Sequence, residues 1–186
     1  MNLPEPVIDL NDGLMLRTFR GQADLPELFR VIEESLEHLR PFMPWVAGHS
    51  LESTTDFLAR REEQWANANH TYAIVQDGSI VGACSLFRRE GLPDEGREIG
   101  YWLHPAATGR GIATRAARAL VDQAFRLPGV EYVEVCHDPA NAASGAIPAR
   151  LGFTEHRRLP AERVAPAETG EDLFWRLTRP ERPGGA

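Results

Sequence analysis

The chain has 186 residues, of which 42% are hydrophobic and 25% are charged, so its length and composition predict one globular domain with a substantial core. A formal net charge of -7 argues against nonspecific nucleic-acid binding, which depends on the neutralisation of phosphates. The sequence contains no run of about 18 apolar residues and no secretory signal at its N-terminus, so we expect a cytoplasmic protein without a membrane partner.

The first half of the chain predicts a strand, two helices and a hairpin. Residues 14–19 form the first strand-like run, and Asp24 caps a helix whose apolar residues keep to one face as far as Leu39. A capping-box pattern at Ser53 predicts the start of a second helix. The Asp-Gly pair at 77–78 separates two more strand-like runs and predicts a β-hairpin.

The second half of the chain predicts alternating strands and helices. We expect strands at 97–103, at 130–137, near 153 and at 173–178, a loop and helix at 108–127, and a further helix at 141–150. Together the elements predict a single α/β (α+β) domain over residues 1–179, with a mixed, mostly antiparallel central sheet and helices on both faces. Residues 180–186 are expected to form a disordered tail.

A short glycine-containing loop joins the strand at 97–103 to the helix that follows. Its sequence is Thr108-Gly109-Arg110-Gly111-Ile112-Ala113. Because the two glycines lack a Cβ, backbone N–H groups can turn towards a phosphate that approaches closely. The first turn of the helix adds unpaired N–H donors and the positive end of its dipole. The loop therefore predicts a site for a phosphorylated cofactor, to which Arg110 adds a charge-assisted contact.

Three kinds of phosphate-binding loop compete for this segment. The nucleotide-hydrolase loop requires a lysine, and its absence from the sequence excludes that reading. The dinucleotide fingerprint G-x-G-x-x-G is matched at its first two glycines, but Thr114 occupies the position of the third. Because acidic residues follow roughly 20 positions later, at Glu131 and Glu134, a nicotinamide or flavin site remains an alternative. In the third pattern, [QR]-x-x-G-x-[GA], residues 108–113 resemble the pyrophosphate loop of acyl-CoA-dependent acetyltransferases at every position but the first.

Segments on both sides of the loop extend this resemblance. They are the run 37–45 (Glu-His-Leu-Arg-Pro-Phe-Met-Pro-Trp), the strands 97–105 and 130–139, Asn141-Ala-Ala-Ser144 and Arg150-Leu-Gly-Phe153. With them, most of residues 14–178 resembles the ribosomal-protein N-acetyltransferase (RimJ/RimL) branch of the GNAT superfamily. The chain departs from that pattern at Thr108, where Gln or Arg is usual, and at Gly145 and Pro148, which interrupt the helix after Asn141.

The resemblance implies how acetyl-CoA is held, with no metal ion. The strand end at Trp102 and Leu103 is expected to pair with the pantetheine arm through its backbone. Asn141 is expected to contact that arm, and Ser144 to bond the sulfur and protonate the departing thiolate. With the loop amides, the predicted cofactor-binding set is Trp102, Leu103, Gly109, Arg110, Gly111, Ile112, Ala113, Thr114, Asn141 and Ser144.

The acceptor side is expected to be apolar and to carry a carboxylate base. Three residues of a proline-bounded segment are predicted to line the acceptor pocket: Phe42, Met43 and Trp45. Glu98, on the central strand, is the first candidate base, and Glu162, close to a glutamate position of the RimL type, is the second. His104 and His137 are expected to be loop or capping histidines.

These features predict an acetyl-CoA-dependent N-acetyltransferase that transfers the acetyl group directly to a primary amine, either a peptide N-terminus or a small molecule. Direct transfer is favoured because Cys84 and Cys136 lie in strand-like runs, where buried, reduced thiols are expected. A non-catalytic acyl-CoA-binding protein and a dinucleotide-dependent oxidoreductase are the alternatives. The resemblance also implies a homodimer.

Overall fold

The computed structural model describes residues 3–180 of the chain. Its framework is one eight-stranded sheet in the order β1-β2-β3-β4-β5-β6-β8-β7. The strands are β1 (Val7–Asp9), β2 (Leu14–Thr18), β3 (Asn69–Gln76), β4 (Ser79–Phe87), β5 (Gly96–Leu103), β6 (Tyr132–His137), β7 (Thr154–Pro160) and β8 (Glu171–Thr178). All neighbours pair antiparallel except β5 and β6, which pair parallel. The predicted mixed, mostly antiparallel sheet is therefore confirmed.

Helices cover both faces of this sheet, as predicted. They are α1 (Leu25–Glu33), α2 (Leu36–Leu39), α3 (Leu51–Ala59), α4 (Arg61–Ala66), α5 (Ile112–Arg126) and α6 (Ala142–Arg150). The apolar side of α5 packs on one face, where Leu120 is fully buried, a burial that contributes about 2 kcal/mol. α1 and α3 pack on the opposite face through Leu28 and Leu58. None of the helices between residues 3 and 180 combines the length and apolar character that a membrane crossing requires.

The parallel pair β5–β6 opens a gap in the sheet. The two strands pair only over residues 96–98 and 132–134. Beyond Glu98, β5 pairs with β4 alone, and beyond Glu134, β6 pairs with β8 alone. The edges that face the gap therefore present backbone groups without a strand partner. Beyond the point where they part, residues of both strands line one cavity with the start of α6, and this cavity is the candidate site.

The sequence misplaced several boundaries in the first half. The predicted helix as far as Leu39 is divided into α1 and α2, and at the break the hydroxyl of Ser35 donates to the carbonyl of Val31 at 2.6 Å. The second helix begins at Leu51, because the capping box joins Ser50 and Ser53 rather than starting at Ser53. β1 was not predicted. The hairpin at 77–78 is confirmed, with positive φ at both turn residues.

Asp24 lies at the N-cap position of α1, but its side chain does not cap the helix. The carboxylate is fully buried and accepts hydrogen bonds from the guanidinium groups of Arg17 and Arg20. Burial alone would raise the pKa of this carboxyl, but the arginine hydrogen bonds outweigh it and hold the pKa below its usual range. The predicted cap is thus wrong, because the two arginines compete for the side chain.

Candidate active site

The predicted loop lies exposed at the surface, immediately before α5. Gly109 and Gly111 have φ of 72° and 74°, in the left-handed region that favours glycine, and Gly111 is the N-cap of the helix. The hydroxyl of Thr108 donates to the carbonyl of Pro105 at 2.7 Å and closes the turn before the loop. None of the amide groups of residues 109–114 donates a hydrogen bond to any residue in the range 3–180. The loop thus offers a row of unpaired donors for an anion.

A cavity of about 640 Å³ opens between the gap in the sheet and the helices α1 to α3. It brings together residues that are far apart in the chain. From the predicted sets, its lining includes Phe42, Met43, Trp45, Trp102, Asn141 and Ser144. The indole of Trp102 packs against that of Trp45, with 5.9 Å between the ring centroids. Leu103, at the end of β5, is buried in the core beneath α5.

The start of α6 forms one end of the cavity. Asn141 caps this helix, because its side-chain oxygen accepts a hydrogen bond from the amide of Ser144 at 3.2 Å. The hydroxyl of Tyr101 donates to the backbone carbonyl of Ser144 at 3.1 Å. Burial raises the pKa of Tyr101 to about 12, so its hydroxyl stays a neutral donor. The Ser144 hydroxyl makes no hydrogen bond within residues 3–180 and is available to a ligand.

His137 lines the same end but is not available as a base. Its Nε2 accepts from the indole N–H of Trp175 at 2.9 Å, so its proton lies on Nδ1, which donates to the carbonyl of Asp138 at 2.7 Å. The neighbouring thiol of Cys136 and that of Cys84 also line the cavity, and both are free. Burial raises the pKa of each thiol, so neither is a thiolate at neutral pH.

The two predicted bases lie outside the cavity lining. Glu98 is buried where β5 and β6 part, and one carboxylate oxygen lies 3.3 Å from Nε of Arg89 without a hydrogen-bonding geometry. Burial raises the pKa of Glu98 to about 7, against the opposing charge of Arg89. Glu162 is exposed in the segment 161–170. His104 accepts a hydrogen bond from the amide of Ala106, as a capping histidine does.

The sequence did not identify Glu168, which is the carboxylate that the segment 161–170 brings to the cavity. It lies in a loop without apolar periodicity, so no sequence pattern predicted that its side chain would reach the cavity. Asp138 also lines the cavity, and both of its oxygens accept hydrogen bonds from the backbone of Ala140 and Thr169. No cluster of His, Cys, Asp and Glu that could hold a metal ion occurs in the described part of the chain.

Comparison with known proteins identifies the family of the chain. The family model for the acetyltransferase (GNAT) domain matches residues 13–154. The chain is 37% identical over 93 residues to "Putative ribosomal N-acetyltransferase YdaF" of Bacillus subtilis (strain 168), an alignment that covers 50% of each protein. The chain thus spans about half the length of the curated relatives it matches.

Solved structures share the fold over nearly the whole chain. RimL, the ribosomal L7/L12 alpha-N-protein acetyltransferase solved with coenzyme A, superposes with a TM-score of 0.83 at 20% identity, covering 92% of this chain and 97% of its own. The microcin C7 self-immunity acetyltransferase MccE, solved with acetyl-CoA and AMP, gives 0.84 at 20% identity, with coverages of 95% and 98%. On the match of its domain model, the chain belongs to the GNAT family of acetyltransferases.

Proposed function

We propose that the protein is an acetyl-CoA-dependent N-acetyltransferase that transfers the acetyl group directly to a primary amine. The observation that carries this proposal is the opening between β5 and β6, where residues of both strands line the cavity, together with the unpaired amides of residues 109–114 at the start of the next helix, α5. A diphosphate on the amides and an extended arm along the gap would place a thioester at the cavity. RimL and MccE were solved with coenzyme A and acetyl-CoA, respectively.

The cofactor would be held mainly by main-chain groups. In this proposal the amides of residues 109–114 bind the diphosphate, and the exposed Arg110 adds a charge-assisted contact. The free edge of β5 at Trp102 and Leu103 pairs with the arm, and an amide there stabilises the charge that builds on the thioester oxygen. One such donor contributes about 3 kcal/mol to transition-state stability. Asn141 holds the arm from the start of α6.

The transfer itself needs few side chains. The acceptor nitrogen attacks the thioester carbonyl, the C–N bond forms and the C–S bond breaks. Ser144 then gives its hydroxyl proton to the departing thiolate, and the proton released by the acylated nitrogen returns through water to restore the Ser144 hydroxyl. An α-amino group has a pKa of about 8, so its deprotonation at pH 7 costs only about 1 kcal/mol. Neither Glu98 nor Glu162 lines the cavity, and their roles as general bases remain predictions from the sequence.

The acceptor would enter from the side of Phe42, Met43 and Trp45. A peptide N-terminus is one candidate, since RimL acts on the α-amine of a ribosomal protein. A small-molecule amine is the other. We further propose a cytoplasmic protein that forms a homodimer and uses neither nucleic acid, membrane nor metal.

The experiment is a turnover assay with the purified chain, acetyl-CoA and a panel of peptide and small-molecule amines. Thiol release is followed with a chromogenic reagent, and each acceptor is weighed by mass spectrometry for the gain of one acetyl group. Thiol release that depends on the amine, with an acetylated acceptor, supports the proposal. Tight acetyl-CoA binding without acetylation of any amine would select the non-catalytic binder, and NAD(P) binding without CoA binding would select the oxidoreductase.

A further inference from the structure

The segment 161–170, which we call the strap, brings Glu168 to the cavity and is tied down through the two residues next to it. At the cofactor end, the amide and hydroxyl of Thr169 donate to the carboxylate of Asp138 at 2.6 and 3.0 Å. At the acceptor end, the amide of Ala167 donates to the carbonyl of Pro41, next to Phe42, at 3.0 Å. The two anchors, at residues 167 and 169, hold the backbone on either side of Glu168.

Glu168 lies between these two anchors and lines the cavity. Its Oε2 accepts hydrogen bonds from the amides of Val164 and Ala165 at 2.6 and 2.8 Å. These bonds fix the carboxylate, while Oε1 accepts no hydrogen bond from residues 3–180. The lining holds one other carboxylate, that of Asp138, whose two oxygens already accept hydrogen bonds from the backbone. Among the carboxylate oxygens of the described lining, Oε1 of Glu168 is thus the one that accepts no hydrogen bond and can receive a cation.

Much of the cavity lining is apolar, including Leu28, Ile32, Phe42, Met43, Phe57 and Phe87. A second ammonium group placed against these side chains would lose its hydration without gaining a partner from them. An apolar or aromatic substituent would instead be stabilised in proportion to the apolar surface that it buries.

We propose that Glu168 receives the ammonium of the acceptor, and that the acceptor class is a monoamine whose nitrogen carries one apolar or aromatic group. This inference rests on the proposed function and deepens it. Small amines and peptide N-termini with an apolar first residue both have this chemistry. Polyamines and hydrophilic amines do not.

The first experiment measures initial rates with saturating acetyl-CoA. The acceptors are 2-phenylethylamine, L-phenylalaninamide as a peptide-like amine, L-serinamide and spermidine. The two aromatic amines are expected to have kcat/KM at least about tenfold above the other two, the equivalent of about 1.4 kcal/mol. Equal rates, or a preference for spermidine, would overturn the assigned acceptor class. The ratio of kcat/KM for 2-phenylethylamine to that for L-phenylalaninamide distinguishes a small-molecule acceptor from a peptide N-terminus.

The second experiment isolates the charge of Glu168. Glu168→Gln keeps an oxygen for the amides of Val164 and Ala165 but removes the negative charge. It should raise the KM for 2-phenylethylamine about tenfold, leave the dissociation constant of acetyl-CoA unchanged, and leave inhibition by the neutral 2-phenylethanol unchanged. A merely structural change would weaken the amine and the alcohol alike. Glu62→Gln, which removes the same charge from an exposed position on α4, is the control and should match the wild type.

The outcomes separate the two claims. A wild type that acetylates no amine of the wider panel overturns the proposed function, and this inference with it. A wild type that acetylates other amines of that panel but neither aromatic amine overturns the assigned acceptor class alone. A wild type that acetylates 2-phenylethylamine, combined with an unchanged KM in Glu168→Gln or with equal losses for amine and alcohol, overturns the assignment of Glu168 alone.

Discussion

The hydroxyl of Tyr101 donates to the one carbonyl of α6 that Pro148 leaves without its helical donor, that of Ser144, at 3.1 Å. In a regular helix this carbonyl would accept from the amide four residues later, but proline has no N–H. Tyr101 therefore replaces a helical hydrogen bond and ties the start of α6 to β5. The proline that interrupts the family's helix pattern is matched here by a tyrosine on the neighbouring strand.

Tyr101→Phe should lower the free energy of unfolding by about 1 kcal/mol, because it leaves the carbonyl of Ser144 without a partner. In the double variant with Pro148→Ala, the new amide can bond to that carbonyl, so the loss caused by Tyr101→Phe should shrink. The free energies of unfolding in urea of the wild type, both single variants and the double variant give the coupling energy between the two positions. Strictly additive effects would contradict the exchange of donors.

Gly145 allows α6 to lie against His137. A Cβ at this position would lie 2.8 Å from two atoms of the imidazole ring. Gly145→Ala should therefore lower the free energy of unfolding by about 1–3 kcal/mol and weaken acetyl-CoA binding, since it displaces the helix that carries Ser144. Gly48→Ala is the matched control, because its Cβ would meet nothing within 4 Å. Equal effects of the two substitutions in thermal unfolding would contradict the close packing.

Ser144→Ala should separate catalysis from binding. It removes the proposed acid and one bond to the sulfur but keeps the amide that Asn141 caps, so stability should not change and the dissociation constant of acetyl-CoA should rise far less than kcat falls. The kcat should fall by roughly 10- to 100-fold at pH 7. Because a thiol has a pKa of about 8.5, the defect should diminish as the pH approaches that value. A pH-independent defect, measured by steady-state kinetics from pH 6.5 to 9, would argue against proton donation by Ser144.

Glu98 should make the protein less stable as the pH rises. Burial raises its pKa to about 7, whereas in the unfolded chain a glutamate titrates near 4.3, so the folded state binds the proton more tightly. Stability is therefore lost between about pH 4.3 and 7. Glu98→Gln should exceed the wild type in free energy of unfolding by up to about 3 kcal/mol at pH 8, and by much less at pH 5. Urea unfolding at both pH values tests this. The same stability difference between Glu98→Gln and the wild type at pH 5 and pH 8 would refute it.

Local patterns predicted most of the fold. The Asp77-Gly78 pair identified its hairpin because both residues adopt positive φ, a property of the turn itself. The family resemblance led to Asn141 and Ser144, which the structure brings to one cavity with Trp45. Where the sequence misled, a distant or competing partner decided the outcome. Asp24 has a capping residue's position, but Arg17 and Arg20 take its carboxylate.

Glu168 shows what the sequence could not supply. The strap has no periodicity, and its course depends on contacts with Asp138 and Pro41, which lie far away in the chain. Glu162, six residues earlier on the same strap, lies closer to the glutamate position of the RimL type, but its side chain is exposed. The side chain that reaches the cavity was decided by these tertiary hydrogen bonds rather than by its own neighbourhood.

The most direct test of the central claim, that the amides of residues 109–114 bind a diphosphate, is a calorimetric comparison of acetyl-CoA with S-acetylpantetheine, which lacks the diphosphate and the adenosine 3′-phosphate attached to it, in the wild type and in a loop variant. We predict that the wild type binds acetyl-CoA at least about 100-fold more tightly, a difference of about 2.7 kcal/mol. Gly109→Ala should lose most of this advantage, whereas Gly91→Ala, which places the same strain at φ 79° in another loop, should retain it. Equal affinities of the wild type for the two ligands would contradict the account.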